Sequence, residues 1–173
     1  MARKRRAQSE LPPFNTLPIQ TRVAAIRYHL NWQGVALRLQ YGRLKAQPLS
    51  LTNFVGFETM SGVVDMDFLV VVVRRIMRMV HQAKRSGLDT EGCLKPVVED
   101  FERRWSHVVD ARDTLEHIDQ PRADRSLVPV RSSKGESIFL MPGKTIDLDQ
   151  LFTDAEELCR AVGRVIRPYE TEG

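Results

Sequence analysis

Apolar residues recur every three or four positions through Ile19, Val23, Ile26, Leu30, Leu37, Tyr41 and Leu44, and that period predicts a long first helix. Gly34 is a weak point within it and Pro48 its end. Residues 50–62 hold Asn53, Gly56 and Gly62 and read as a connection, with room for a short helical turn over 54–60. A second helix is predicted over 63–85, closed by Ser86-Gly87. Its first half is apolar on all sides, which places it at the centre of a bundle. The valine run there favours a strand by propensity, but Ile76, Met79, Val80 and Ala83 continue the helical period, and the longer pattern decides.

A third helix is predicted over 90–119, with Leu94, Val98, Phe101, Trp105, Val108 and Leu115 on one seam. It ends before Pro121, because the residue preceding proline resists helical angles. The pattern then changes to period two. The segments 127–130 and 137–140 flank Ser133-Lys134-Gly135-Glu136, a hairpin signal, and 145–148 adds a third short strand. Thr153 with Glu156 matches a capping box for a last helix carrying Ala155, Leu158, Cys159, Val162, Val165 and Ile166. The fold class that follows is mainly α: an up-and-down four-helix bundle with a small β-hairpin inserted before the last helix. Residues 1–17 form a basic, flexible tail, and 18–169 a single helical domain with the hairpin at about 127–148.

Composition adds little to this picture. The chain has 173 residues, enough for one domain with a core of its own. The formal charge of +4 is largely the run Arg3-Lys4-Arg5-Arg6, so the body is nearly balanced. That run is either a solvated tail or an electrostatic handle for nucleic acid or acidic lipid. Cys93 and Cys159 make no zinc-type spacing, and both read as reduced and buried. The run 68–73 is too short to span a bilayer, and no apolar stretch of a signal peptide follows the basic residues. The expected compartment is the cytoplasm.

Chemistry concentrates near the end of the third helix, in Arg112-Asp113-Thr114-Leu115-Glu116-His117. With Phe101 at zero on a wheel of about 100° per residue, Arg112 falls about 20° from the seam centre. A buried guanidinium is costly unless paired. Asp113 and His117, four apart, share one face. One account is a local ion-pair network, with Arg112 snorkelling to Glu116 or Asp119. The other starts from the spacing: Arg112-x4-His117, with a polar residue directly after the arginine, resembles the R-x4–6-H motif of the HEPN superfamily of helical bundles.

That resemblance covers the motif and, loosely, residues 60–167. It implies a homodimeric, metal-independent endoribonuclease needing no cofactor, with both motifs facing a shared cleft. His117 would activate the ribose 2′-hydroxyl or protonate the leaving oxygen. Arg112 would stabilise charge on the phosphate, and Asp113 would orient His117. Some HEPN toxins extend the motif to R-x4-H-x-Y; here the last position is Asp119. Arg112 and His117 also lie about 140° apart on an ideal helix, so a dimer or a kink must bring them together.

A second feature bears on RNA. Arg74, Arg78, His81 and Arg85, spaced 4, 3 and 4, form a stripe on the second helix that could track phosphates or simply face solvent. Trp32 and Trp105 read as core rather than as base-stacking platforms, Trp105 from its place on the seam and Trp32 ambiguously, just before Gly34; Met60, Met66, Met77 and Met79 read as core fillers. The alternatives to a nuclease are a non-catalytic helical dimerisation or interaction protein with a partner chain, and a nucleic-acid-binding accessory protein using the basic N-terminus.

Overall fold

The computed structural model describes residues 13–46, 57–116, 128–131, 137–141 and 144–170. Four helices carry it: α1 (Ile19–Ala46), α2 (Phe57–Arg85), α3 (Leu94–Glu116) and α4 (Leu148–Ile166). Strands β1 (Val128–Arg131), β2 (Ser137–Met141) and β3 (Lys144–Asp147) stand between α3 and α4. They form an antiparallel sheet in the order β1-β2-β3, with Val130 opposite Ile138 and Phe139 opposite Ile146. The mainly α class and the placement of the hairpin agree with the sequence pattern. The turn expected at Gly135 lies outside the described residues.

Side-chain pairs fix the helix directions. Arg22 near the start of α1 donates to the Ser86 carbonyl just past the end of α2, and Arg43 near the end of α1 meets Asp65 near the start of α2 at 2.9 Å. α1 and α2 are therefore antiparallel. Arg38 meets Glu156 at 2.9 Å, while Leu30 lies against Gly163, so α1 is also antiparallel to α4. α3 meets α2 through His81 and Glu102 and meets α4 through Arg104 and Asp154; the short connection 86–93 returns it antiparallel to α2, and hence to α4. This is the up-and-down arrangement, and α2 and α4 also touch across the diagonal.

The core lies where the four seams meet, with Ile26, Leu37, Met66, Leu69, Ile76, Leu94, Leu151 and Leu158 fully buried. Burying each such side chain contributes on the order of 2 kcal/mol. A polar latch ties α1 to α4. The Tyr41 hydroxyl donates to Asp149 at 2.8 Å, and Lys45 contacts both Asp149 oxygens at 3.0 Å. Burial, and then the bond to Asp149, pushes the Tyr41 phenol up to about 12. Burial alone would raise Asp149, but the hydrogen bonds from Lys45 and Tyr41 outweigh it and hold the carboxyl below its usual value.

Several ends differ from the sequence reading, each for a local reason. α2 begins at Phe57, six residues before the predicted start, and Gly62 is buried within it. Packing overrides the glycine there. α3 begins at Leu94 rather than 90, because Gly92 holds a left-handed φ of 71° that ends any helix entering from that side. Asp89 then accepts from the Cys93 and Leu94 amides at 2.8 and 3.0 Å and caps the new helix. α4 starts five residues before the proposed cap. Its cap is Asp147, whose side chain accepts from the Gln150 amide at 3.0 Å. Thr153 sits inside the helix and donates to the Asp149 carbonyl at 2.8 Å, so no capping box forms. Gly34 does not interrupt α1. The kink falls in α3, at Trp105 (φ −115°, ψ 21°), whose indole N–H is held by Asp154 at 2.8 Å.

Candidate nucleic-acid interface

The C-terminal half of α2 is rotated by its core contacts. Val73, Ile76, Val80 and Ala83 are buried, so Arg75, Arg78 and Arg85 stand outward as a ridge, while Lys84, exposed at the helix end, lies about 120° round the helix from Arg78. A groove lies on each side. Towards α1, a hollow of about 390 Å³ is lined by Tyr28, His29, Trp32 and Gln33 together with Arg75 and Arg78. Towards α3, a hollow of about 440 Å³ is lined by Phe101, Glu102 and Trp105 together with Arg74, Arg78 and His81. A third, of about 580 Å³, lies between Phe14 and the end of α2, with Arg78 and Arg85 on its wall. Arg78 therefore borders all three.

The cations of this ridge differ from those elsewhere. Arg38 and Arg160 pair with Glu156, Arg43 with Asp65, Lys45 with Asp149, Arg104 with Asp100 and Asp154, and Arg164 with Glu157. Among the described residues, no carboxylate pairs with Arg75, Arg78, Lys84 or Arg85. Four exposed positive charges within eleven residues of one helix give a local positive potential that phosphate would lower.

The predicted stripe of Arg74, Arg78, His81 and Arg85 is divided by the fold. Arg78 and Arg85 are exposed on the ridge, while Arg74 is half-buried on the α3 side. His81 also faces α3, with Nε2 3.1 Å from Glu102 Oε1. A carboxylate beside that imidazole disfavours phosphate in the α3 groove, so the α1 side is the better path for an anion. Arg75 belongs to the site although its spacing takes it off the predicted line. Trp32 is the clearest correction: it is 60% exposed and lines the α1-side groove, whereas Trp105, at 6%, is core as expected. The missed signal was its spacing, since Tyr28, Trp32, Val35 and Leu39 follow one another at 4, 3 and 4 on a face opposite the α1 core seam.

Of the proposed catalytic residues, Arg112 and Asp113 fall on the last turns of α3, where their side chains lie outside what is described, and His117 lies outside the described residues altogether. The kink of α3 falls at Trp105, before Arg112. His107, in the second half of α3, contacts the Thr145 carbonyl at 3.2 Å. Cys93 is exposed, contrary to expectation, and Cys159 is half-buried, its thiol pushed up to about 11 by burial. Among the described residues no group of three His, Cys, Asp or Glu side chains could hold a metal ion, and no helix is long and apolar enough to cross a membrane. No protein-family model matches the chain, and neither a curated protein nor a solved structure shows significant similarity to it.

Proposed function

We propose that this bundle is a cytoplasmic RNA-binding protein that holds single-stranded RNA along the outer ridge of α2. The observation that supports the reading is the set of unneutralised cations Arg75, Arg78, Lys84 and Arg85, in a molecule whose other helices pair most of theirs. Phosphate contacts of this kind supply affinity without sequence preference, and they displace counterions. Exposed Tyr28 and Trp32 border the same ridge and offer flat faces to an unpaired base, which a duplex would not present.

The test is fluorescence anisotropy with a short labelled single-stranded RNA at low salt. Arg75→Glu combined with Arg78→Glu should lower affinity at least about tenfold, as loss of several phosphate contacts does. Removing residues 1–10 should leave most of the binding. Binding that survives the double reversal but disappears with the tail would assign the contact to the N-terminal run and end the ridge proposal.

Membership of the HEPN superfamily rests on Arg112-x4-His117 and the helical layout, and it would add cleavage to binding. In that case the protein cuts RNA in the presence of EDTA, and Arg112→Ala and His117→Ala each abolish cutting while leaving affinity at the ridge. Binding with no cutting by the wild type would leave the non-catalytic reading.

A further inference from the structure

Beyond the ridge, the outward face of α1 and the first half of α2 is apolar. Tyr28, Trp32, Val35 and Leu39 on α1, and Val64 and Phe68 on α2, are 49% to 65% exposed. The antiparallel register that brings Arg43 to Asp65 sets Leu39 beside Phe68 one turn further along each helix, so the two rows form one surface. Aromatic side chains offer about 150–250 Å² each, and at these exposures the six residues present on the order of 600 Å². That is at the upper limit of the largest patch on a typical monomer, about 300–600 Å². It also approaches the roughly 800 Å² per partner of a standard interface, with the polar rim still to be added.

We infer that this face docks a second copy of the chain, antiparallel about a two-fold axis near Val35. The direction follows from charge. Among the described residues, the cations on this face with no carboxylate partner are Arg75 and Arg78 at the Tyr28–Trp32 end, whereas Arg43 at the other end, though exposed, is paired with Asp65. A parallel pairing would set Arg75 against its own copy, and like charges at an interface are costly. The two-fold reversal instead lays the aromatic end of one copy over the aliphatic end of the other, α1 against α1, with Tyr28 approaching Leu39 of the second copy. An isologous contact of this kind closes at two subunits. It brings the two α2 ridges to opposite margins of one interface and leaves α3, with Arg112, on the far side of each subunit. The HEPN-type dimer expected from the motif would instead meet at α3, so the two arrangements are separable. The inference does not depend on RNA binding, but a base stacked on Tyr28 or Trp32 would occupy part of the same face, so the dimer is the RNA-free state.

The experiment is sedimentation velocity on the full chain at micromolar concentration, with Leu39→Glu and Phe68→Glu as variants. The wild type should sediment at twice the 19.8 kDa chain mass. Each variant should raise the dimer dissociation constant at least about thirtyfold, as loss of a central anchor does. Both positions are solvent-exposed in the single chain, so circular dichroism should be unchanged, as should the melting temperature measured at concentrations where the wild type is monomeric. Val35→Cys in a Cys93→Ser background should give an intermolecular disulfide with diamide. A monomeric wild type overturns the inference, including the case in which the face instead captures a different protein. A dimer that persists in both variants and fails to cross-link at Val35 overturns it too, and points to another interface such as α3.

Discussion

The outward face of α1 and α2 is built differently at its two ends. On α2 the outward positions 64, 68 and 71 are Val, Phe and Val, whereas 75, 78, 82 and 85 are Arg, Arg, Gln and Arg. The inward positions do not change over the same length: Met66, Leu69, Val73, Ile76 and Val80 are all buried. Folding therefore imposes one requirement along the whole helix, and the change of character appears only where the helix meets solvent. Exposed apolar residues contribute little to the bundle, and neither do unpaired arginines. A second copy at one end and RNA at the other, as proposed, would account for both by what they meet outside the chain.

Core and face can be separated on a single helix. Leu37 is fully buried and Leu39 is 60% exposed, two residues away. Leu37→Ala should cost about 2–5 kcal/mol in urea unfolding, whereas Leu39→Ala should stay within about 0.5 kcal/mol under conditions where the chain is monomeric. Equal losses would mean that the outward face is part of the core, and the comparison would collapse. The next largest effect divides the two ends. Arg75→Glu with Arg78→Glu should weaken binding of a short RNA at least about tenfold, while Leu39→Glu, which frees Tyr28 and Trp32 from the second copy, should not weaken it. A loss in both would merge the two ends into one site.

The smallest effect contrasts a paired cation with the unpaired ones. Lys45 serves the latch at Asp149, so Lys45→Ala should alter stability and not RNA affinity. The carboxyl of Asp149 is held below its usual value in the folded state, so its contribution is fully present above the unfolded value of about 3.9 and is lost as pH falls through the lower folded value. Asp149 is 40% exposed and screened, so Asp149→Asn should cost under about 1 kcal/mol near neutral pH. That difference should vanish on acidification below about pH 4, measured by thermal melts across the pH range. A difference that persists at low pH would mean that the latch holds through Tyr41 and packing rather than through charge.

The long-range plan was legible because it rests on hydrophobic period. Four helices and a small sheet follow from spacing in α1, α2, α3 and α4 and from the switch to alternation near residue 127. Helix ends were less legible, because they are decided by single side chains that compete locally. Asp147 and Asp89 cap helices where Thr153 and Thr90 had been the expected boundary residues. The face was the least legible part. Residue type alone leaves Trp32 ambiguous and leans to the core, although its wheel position is opposite Leu37. The apolar first half of α2 was read as buried on all sides, yet Val64 and Phe68 are exposed. Residue type says that such side chains avoid water, and it does not say whether the cover comes from the same chain. For the arginines, linear spacing grouped Arg74 and His81 with Arg78, while the fold turns the first two towards α3 and Glu102.

The most direct measurement is the salt dependence of RNA binding. If the ridge holds phosphates, the logarithm of the association constant should fall linearly with the logarithm of salt concentration, and each lost contact should lower the slope by about 0.7 for a single strand. The account predicts a steep wild-type slope and a clearly shallower one for Arg75→Glu with Arg78→Glu. Identical slopes for the two proteins, or binding that ignores salt, would contradict it.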